Sequence, residues 1–171
     1  MSRILGIDPG SRLTGYGVID CHGQRAVHVA SGFVHANSRE LAARLRVIFD
    51  EMTGIVRLYQ PREMVVEQVF VHRNVSAALK LGQARGVAVL AGLMQGLPLY
   101  EYTPREIKKA VIGNGNAGKD QVQYMIKTLL SLSQIPQSDA ADALGVALCH
   151  AHTRQTLWRI EHARGRWASS S

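Results

Sequence analysis

The chain predicts an α/β fold: a mixed sheet, made of a three-stranded antiparallel meander plus two parallel strands, with helices on both faces. Three observations carry this. Strand-like runs follow one another without interruption up to Phe33. From Glu40 onward, helical and strand-like periodicities alternate. The run Met64-Val65-Val66 is short and wholly apolar, as strands covered on both faces are. With 171 residues, the chain matches the usual length of one domain of about 100–200 residues.

The first run, Ile4-Leu5-Gly6-Ile7, ends on Asp8, turns at Pro9-Gly10 and returns as Gly15-Tyr16-Gly17-Val18-Ile19. A turn at Cys21-His22-Gly23-Gln24 leads to the third strand, Ala26 to Phe33. Between Glu40 and Tyr59, apolar residues at Leu41, Leu45, Ile48, Phe49, Met52, Ile55, Val56 and Tyr59 predict an amphipathic helix that stops before Pro61. Met64-Val65-Val66 is a strand that, like the first, ends on an acid, Glu67. A helix over Val75 to Met94 carries Ala78, Gly82 and Gly86 at four-residue steps, a small-residue stripe that admits a second backbone. Leu99 to Tyr102 is a strand, and Pro104 opens a helix at a position where its missing N–H costs nothing. That helix ends near Ile112, and two more are expected over Lys119 to Leu130 and Gln137 to His152. Residues 1–157 are read as one domain, and 158–171, basic and then small and polar, as a disordered tail.

Composition narrows the function. Twenty Lys and Arg against 13 Asp and Glu give a net charge of +7, which suits a polyanion partner, since each neutralised phosphate releases counterions. The longest apolar run, Val87 to Met94, is too short to cross a membrane, and no secretory signal opens the chain, so the cytoplasm is the expected location. Cys21 and Cys149 lack ligand spacing and read as buried thiols.

The chemistry concentrates on acids. Asp8 and Glu67 close core strands, and Asp139 and Asp142 stand three apart in the first turns of the last helix, on one face. Together they would repel one another unless a hard divalent cation met them. Two such ions can drive phosphodiester cleavage. Acids in a first turn also complement the helix dipole, which accounts for Asp139 and Asp142 equally well but not for Asp8 and Glu67. The loop Gly113 to Gly118 followed by Lys119 imitates phosphate-binding glycine motifs, yet Asp120 replaces the required hydroxyl residue and a helix precedes it. It reads either as a mobile turn presenting Lys108, Lys109 and Lys119 to a nucleic-acid backbone or as a turn with solvated lysines. Phe70, just past Glu67, is a base-stacking residue or a core one. His150 and His152 read as structural or surface side chains.

Four ordered motifs resemble the RuvC family of bacterial Holliday-junction resolvases: Ile7-Asp8-Pro9-Gly10-Ser11 with Thr14-Gly15-Tyr16-Gly17, Val66-Glu67-Gln68-Val69-Phe70, Leu79-Lys80-Leu81-Gly82-Gln83-Ala84-Arg85-Gly86, and Asp139-Ala140-Ala141-Asp142-Ala143-Leu144. The resemblance spans Ile4 to about His152. It implies a ribonuclease H-like fold, and Asp8, Glu67, Asp139 and Asp142 as catalytic metal ligands. It further implies Mg²⁺ dependence and paired symmetric nicks in four-way junction DNA; two Mg²⁺ per site are expected, with Mn²⁺ as a substitute. DNA contacts are expected from Phe70, Arg73, Lys80, Arg85, Lys108, Lys109 and Lys119, and a homodimer contact along Ala78, Gly82 and Gly86. The branch-migration complex of RuvA and RuvB is the expected protein partner. Another ribonuclease H-like nuclease, a sugar-kinase or actin-like ATPase and a non-catalytic junction binder are the rival readings. The ATPase needs two such domains, and a mere binder has little use for Asp8 and Glu67.

Overall fold

The computed structural model describes residues 2–23, 25–68 and 74–168. Its elements are β1 (Ser2–Asp8), β2 (Leu13–His22), β3 (Arg25–His35), α1 (Leu41–Tyr59), β4 (Glu63–Glu67), α2 (Val75–Leu93), β5 (Leu99–Tyr102), α3 (Pro104–Ile112), α4 (Lys119–Leu129) and α5 (Ser138–Ala168). The strands form one sheet in the order β3-β2-β1-β4-β5. The first three are an antiparallel meander, while β4 runs parallel to β1 and β5 parallel to β4. This is the mixed ribonuclease H-like sheet that the chain predicts.

Strand alternation sorts the core into two halves. Ile4, Ile19 and Val65 pack under α3, α4 and α5. Leu5, Ile7, Val18, Met64 and Val66 face the other way, against α1 and α2. Helix α1 buries Arg44, Ile48, Met52 and Val56 at four-residue steps and ends at Gln60, whose left-handed backbone (φ 48°) turns the chain ahead of Pro61. Helix α3 is fixed at its start by Pro104 and by a reciprocal cap in which the Thr103 hydroxyl accepts from the Glu106 N–H and the Glu106 carboxylate accepts from the Thr103 N–H.

Helix α5 lies on β1 and β2 at backbone distance. A Cβ at Gly6 would stand 2.1 Å from the Ala143 carbonyl oxygen, and one at Gly15 2.0 Å from that of Asp139. One at Gly17 would meet Leu144 at 2.8 Å. Gly6 and Gly17 are paired across the ladder, and Gly15 pairs with Asp8. The glycines therefore form a shallow track in which the helix sits.

The structure departs from expectation at the C-terminus. Helix α5, expected to end at His152, continues to Ala168. Contacts beyond His152 hold it to the sheet. The Arg154 guanidinium reaches Glu63 at 2.6 Å and the Ser2 hydroxyl at 3.1 Å, and Gln155 donates to the Gly23 carbonyl. No proline interrupts the extension. Residues 169–171 lie outside the described residues. His150 is buried, its Nδ1 2.9 Å from the Tyr102 hydroxyl and its Nε2 2.9 Å from Glu63. Burial lowers its pKa, and Glu63 opposes that. His152 faces the Ala110 carbonyl at 3.0 Å. Burial pushes the thiols of Cys21 and Cys149 up to about 11 and about 12, so both stay protonated and inert at neutral pH.

The glycine track makes a stability prediction. Gly15→Ala drives a Cβ into helix backbone that cannot move alone, and is expected to destabilise the fold by about 3 kcal/mol in urea unfolding. Gly54→Ala, where nothing lies within 4 Å, is expected to be neutral or to stabilise by up to about 1 kcal/mol.

Candidate active site

The parallel register Gly6↔Val65 and Ile7↔Val66 carries Asp8 and Glu67 to the same end of adjacent strands. By alternation both face α5, with Gly6 and Val65. On the other flank of Asp8, its ladder partner Gly15 seats the first turn of α5, so that Asp139 lies over this end of the sheet. Asp142, one turn further, lines a cleft of about 220 Å³ with Glu67, Lys108 and Lys119. The four acids that the sequence singles out are thus brought together from three elements.

Their electrostatics show the crowding. The Asp8 carboxyl is pushed up to about 7, chiefly by burial and then by Asp142, Glu67 and Asp139, with Lys119 acting against them. Glu67 is raised by burial and by Asp142, opposed by Lys108 and Lys119. Lys119 donates to Asp142 at 3.0 Å and is itself raised by that bond. A half-buried carboxyl raised this far among like charges suits a hard divalent cation, the partner that a set of carboxylate oxygens selects. Among the described residues, no three acid, imidazole or thiol side chains are arranged to ligate one ion directly. The carboxylates of Asp142 and Asp139 are instead turned to the donors of Lys119 and Gln137. The donor set fits a metal by charge and chemistry, and holding one calls for rotation of those two side chains.

One side chain at the site and one beyond it escape the sequence reading. Gln137 accepts from the N–H groups of Asp139 (2.9 Å) and Ala140 (3.2 Å) and donates to the Asp139 carboxylate, so it caps α5 and holds a catalytic candidate at once. Its position just before Ser138-Asp139 is the one signal available in the sequence. Arg105 joins Lys109 along a separate cleft of about 430 Å³ bordered by Gly113, Asn114 and Gly115, on a different face of α3 from Lys108.

The other expected contacts are scattered. Lys80 is exposed on α2. Arg85 is paired with Glu101, its charge compensated within the chain. Phe70 and Arg73 lie outside the described residues. On α2, Gly82 and Gly86 face open space, and Val75, Leu79, Leu90 and Leu93 are exposed beside them. Among the described residues no helix is long and apolar enough to cross a membrane.

The chain is similar to known proteins. The family model described as crossover junction endodeoxyribonuclease RuvC matches residues 4–150. The crossover junction endodeoxyribonuclease RuvC of Shewanella sp. (strain W3-18-1) is 55% identical over 157 residues, 92% of this chain and 91% of that protein. The Thermus thermophilus RuvC solved in complex with Holliday junction substrate superposes with a TM-score of 0.85 at 31% identity, over 91% of this chain and 96% of that one. The fowlpox virus resolvase solved with Holliday junction DNA shares the fold, with a TM-score of 0.55 at 11% identity over 88% of this chain and 97% of that one.

The raised Asp8 carboxyl carries a pH signature. The folded chain keeps a proton on Asp8 that the unfolded chain releases near pH 4, so this group's contribution to stability falls as pH rises from about 4 to about 7 and then levels off. In metal-free buffer, Asp8→Asn is expected to remove that part of the slope and to melt higher than wild type at pH 8. Mg²⁺ is expected to raise the melting temperature of wild type more than that of the variant. Equal slopes in differential scanning calorimetry would contradict this.

Proposed function

The chain belongs to the RuvC family of crossover junction endodeoxyribonucleases, and from that membership we propose that Asp8, Glu67, Asp139 and Asp142 hold two Mg²⁺ at the scissile phosphate of a four-way DNA junction. The protein is an endonuclease of Holliday junctions in a metal-dependent family. The observation that carries the finer reading is the pairing of Asp8 and Glu67 at adjacent strand ends under the first turn of α5, with Asp8 pushed up to about 7. Metal bound there supplies positive charge that favours the hydroxide form of an attacking water and stabilises the departing oxygen.

The chain's own part is to bind and orient. Asp8 and Glu67 sit on strands, the most rigid support available, while Asp139 and Asp142 are fixed through the seat of α5 on glycine. Lys108 and Lys119 share a cleft with Glu67 and Asp142 and offer cations to phosphate oxygens once DNA enters. In-line hydrolysis with loss of the 3′ oxygen leaves 5′-phosphate and 3′-hydroxyl ends.

Paired nicking needs paired sites. The exposed apolar ridge of α2 flanking Gly82 and Gly86 suits a second copy, so the enzyme works as a two-fold dimer on a two-fold substrate. Phe70 and Arg73 are assigned to the junction, as are Lys80 and Lys109. Arg85 keeps a DNA role only by releasing Glu101. RuvA and RuvB are the partners that would deliver the junction, in the cytoplasm where the chromosome lies. A ribonuclease H-like enzyme acting on RNA paired to DNA is disfavoured by the 31% identity to a RuvC solved on Holliday junction substrate.

Asp8→Asn is expected to slow cleavage of a synthetic four-way junction in Mg²⁺ by about 10³-fold or more, since several kcal/mol of charge stabilisation go with the metal. Binding to the junction should persist. Wild-type rates in the variant would refute the metal site. Leu79→Asp, on the α2 ridge, is expected to give monomers in sedimentation and unpaired nicks on a cruciform plasmid, and an intact dimer would remove α2 from the interface.

A further inference from the structure

The ladder partner of Gly15 on the side away from Asp8 is Phe33 of β3. Partners across an antiparallel ladder face the same way, so Phe33, Gly15 and Asp8 form a row on the α5 face. Strands are spaced about 4.8 Å apart, which places the Phe33 backbone roughly 10 Å from that of Asp8. Over Gly15 between them sits the first turn of α5, with the Asp139 backbone in contact. Phe33 is 46% exposed, and β3 is the outer strand of the sheet among the described residues.

The ring lines a groove of about 730 Å³ between β3 and the segment joining α4 to α5. Gln137 also lines it and donates to the Asp139 carboxylate, so one side chain joins the groove to the acids. Val27, Leu132 and Pro136 add apolar surface, Ser133 and Gln134 add neutral hydrogen-bonding groups, and no lysine or arginine is among the lining residues. His28, also in the lining, shares a hydrogen bond with Ser31 and has its pKa lowered by burial, which favours its neutral form. The cleft that holds Glu67 and Asp142, in contrast, carries Lys108 and Lys119. The acids stand between a cationic cleft, suited to phosphate, and an uncharged groove with an aromatic wall, suited to a base.

We propose that this groove is a nucleobase subsite in which Phe33 stacks on an unpaired base next to the scissile phosphate, so that Phe33 helps set which junction sequences are cut. The proposal rests on the reading that the four acids hold that phosphate. An aromatic face accepts any base, while the neutral donors and acceptors around it select among them.

The test places 5-iododeoxyuridine on either side of the cut site in a synthetic junction, irradiates it with protein in Ca²⁺, and maps the crosslinked peptide by mass spectrometry. Cleavage of unmodified junctions is measured in parallel in Mg²⁺. Wild type is expected to crosslink through Phe33. Phe33→Leu, which keeps apolar volume without a ring, should melt as wild type does, lose the crosslink, lower kcat/KM about tenfold and flatten the cut-site preference. Phe33→Trp should retain both. Asp8→Asn should crosslink as wild type while cutting poorly, and cutting that survives Asp8→Asn with the crosslink intact would sink the metal reading alone. A Phe33→Leu variant with wild-type kcat/KM and the same cut sites overturns the proposal.

Discussion

Helix α5 meets β1 and β2 where Gly6, Gly15 and Gly17 present no side chain, and its backbone comes within contact of theirs. The site depends on that approach. Any Cβ along the track would lift the helix, and with it Asp139 and Asp142, away from the strand ends that hold Asp8 and Glu67. The far end of the helix is tied down differently, where Glu63 at the start of β4 accepts from both His150 and Arg154. Glu63 and Glu67 lie on the same strand and face, so β4 anchors α5 at one end and supplies a candidate ligand at the other.

The local charge runs against the global one. A chain with a net charge of +7 concentrates four carboxylates at one sheet end, and the burial there that raises Asp8 is a standing destabilisation of the metal-free fold. Lys119 relieves part of it through Asp142. On the proposed reading, a cation held by the acids would remove the rest and release Lys119 from Asp142. Crowding of ionisable groups at a cost in stability is what a site proposed for chemistry would show.

The fold is legible in the sequence wherever a local pattern suffices. Alternation, the stop before Pro61 and the helix opening at Pro104 set most strands and helices within a few residues, and an acid closing an apolar strand marks Asp8 and Glu67 without any structure. The rest needs the third dimension. Gln137 reads as an ordinary residue ahead of a helix until its amide is seen on Asp139. Phe33 reads as the end of a strand until its ladder partner proves to be a glycine beside the acids. Arg85 reads as a free cation until Glu101 is found against it. The continuation of α5 was hidden for a similar reason, since the basic composition after Trp158 says nothing of the grip that Arg154 and Gln155 have on the start of the sheet.

On the proposed reading, the acids gathered by this helix are a divalent metal site. Anomalous diffraction from crystals of the junction complex soaked in Mn²⁺ tests it most directly. Anomalous peaks are expected enclosed by the carboxylates of Asp8, Glu67, Asp139 and Asp142, with the Lys119 side chain withdrawn from Asp142. Peaks elsewhere, with Lys119 still bound to Asp142, would contradict it.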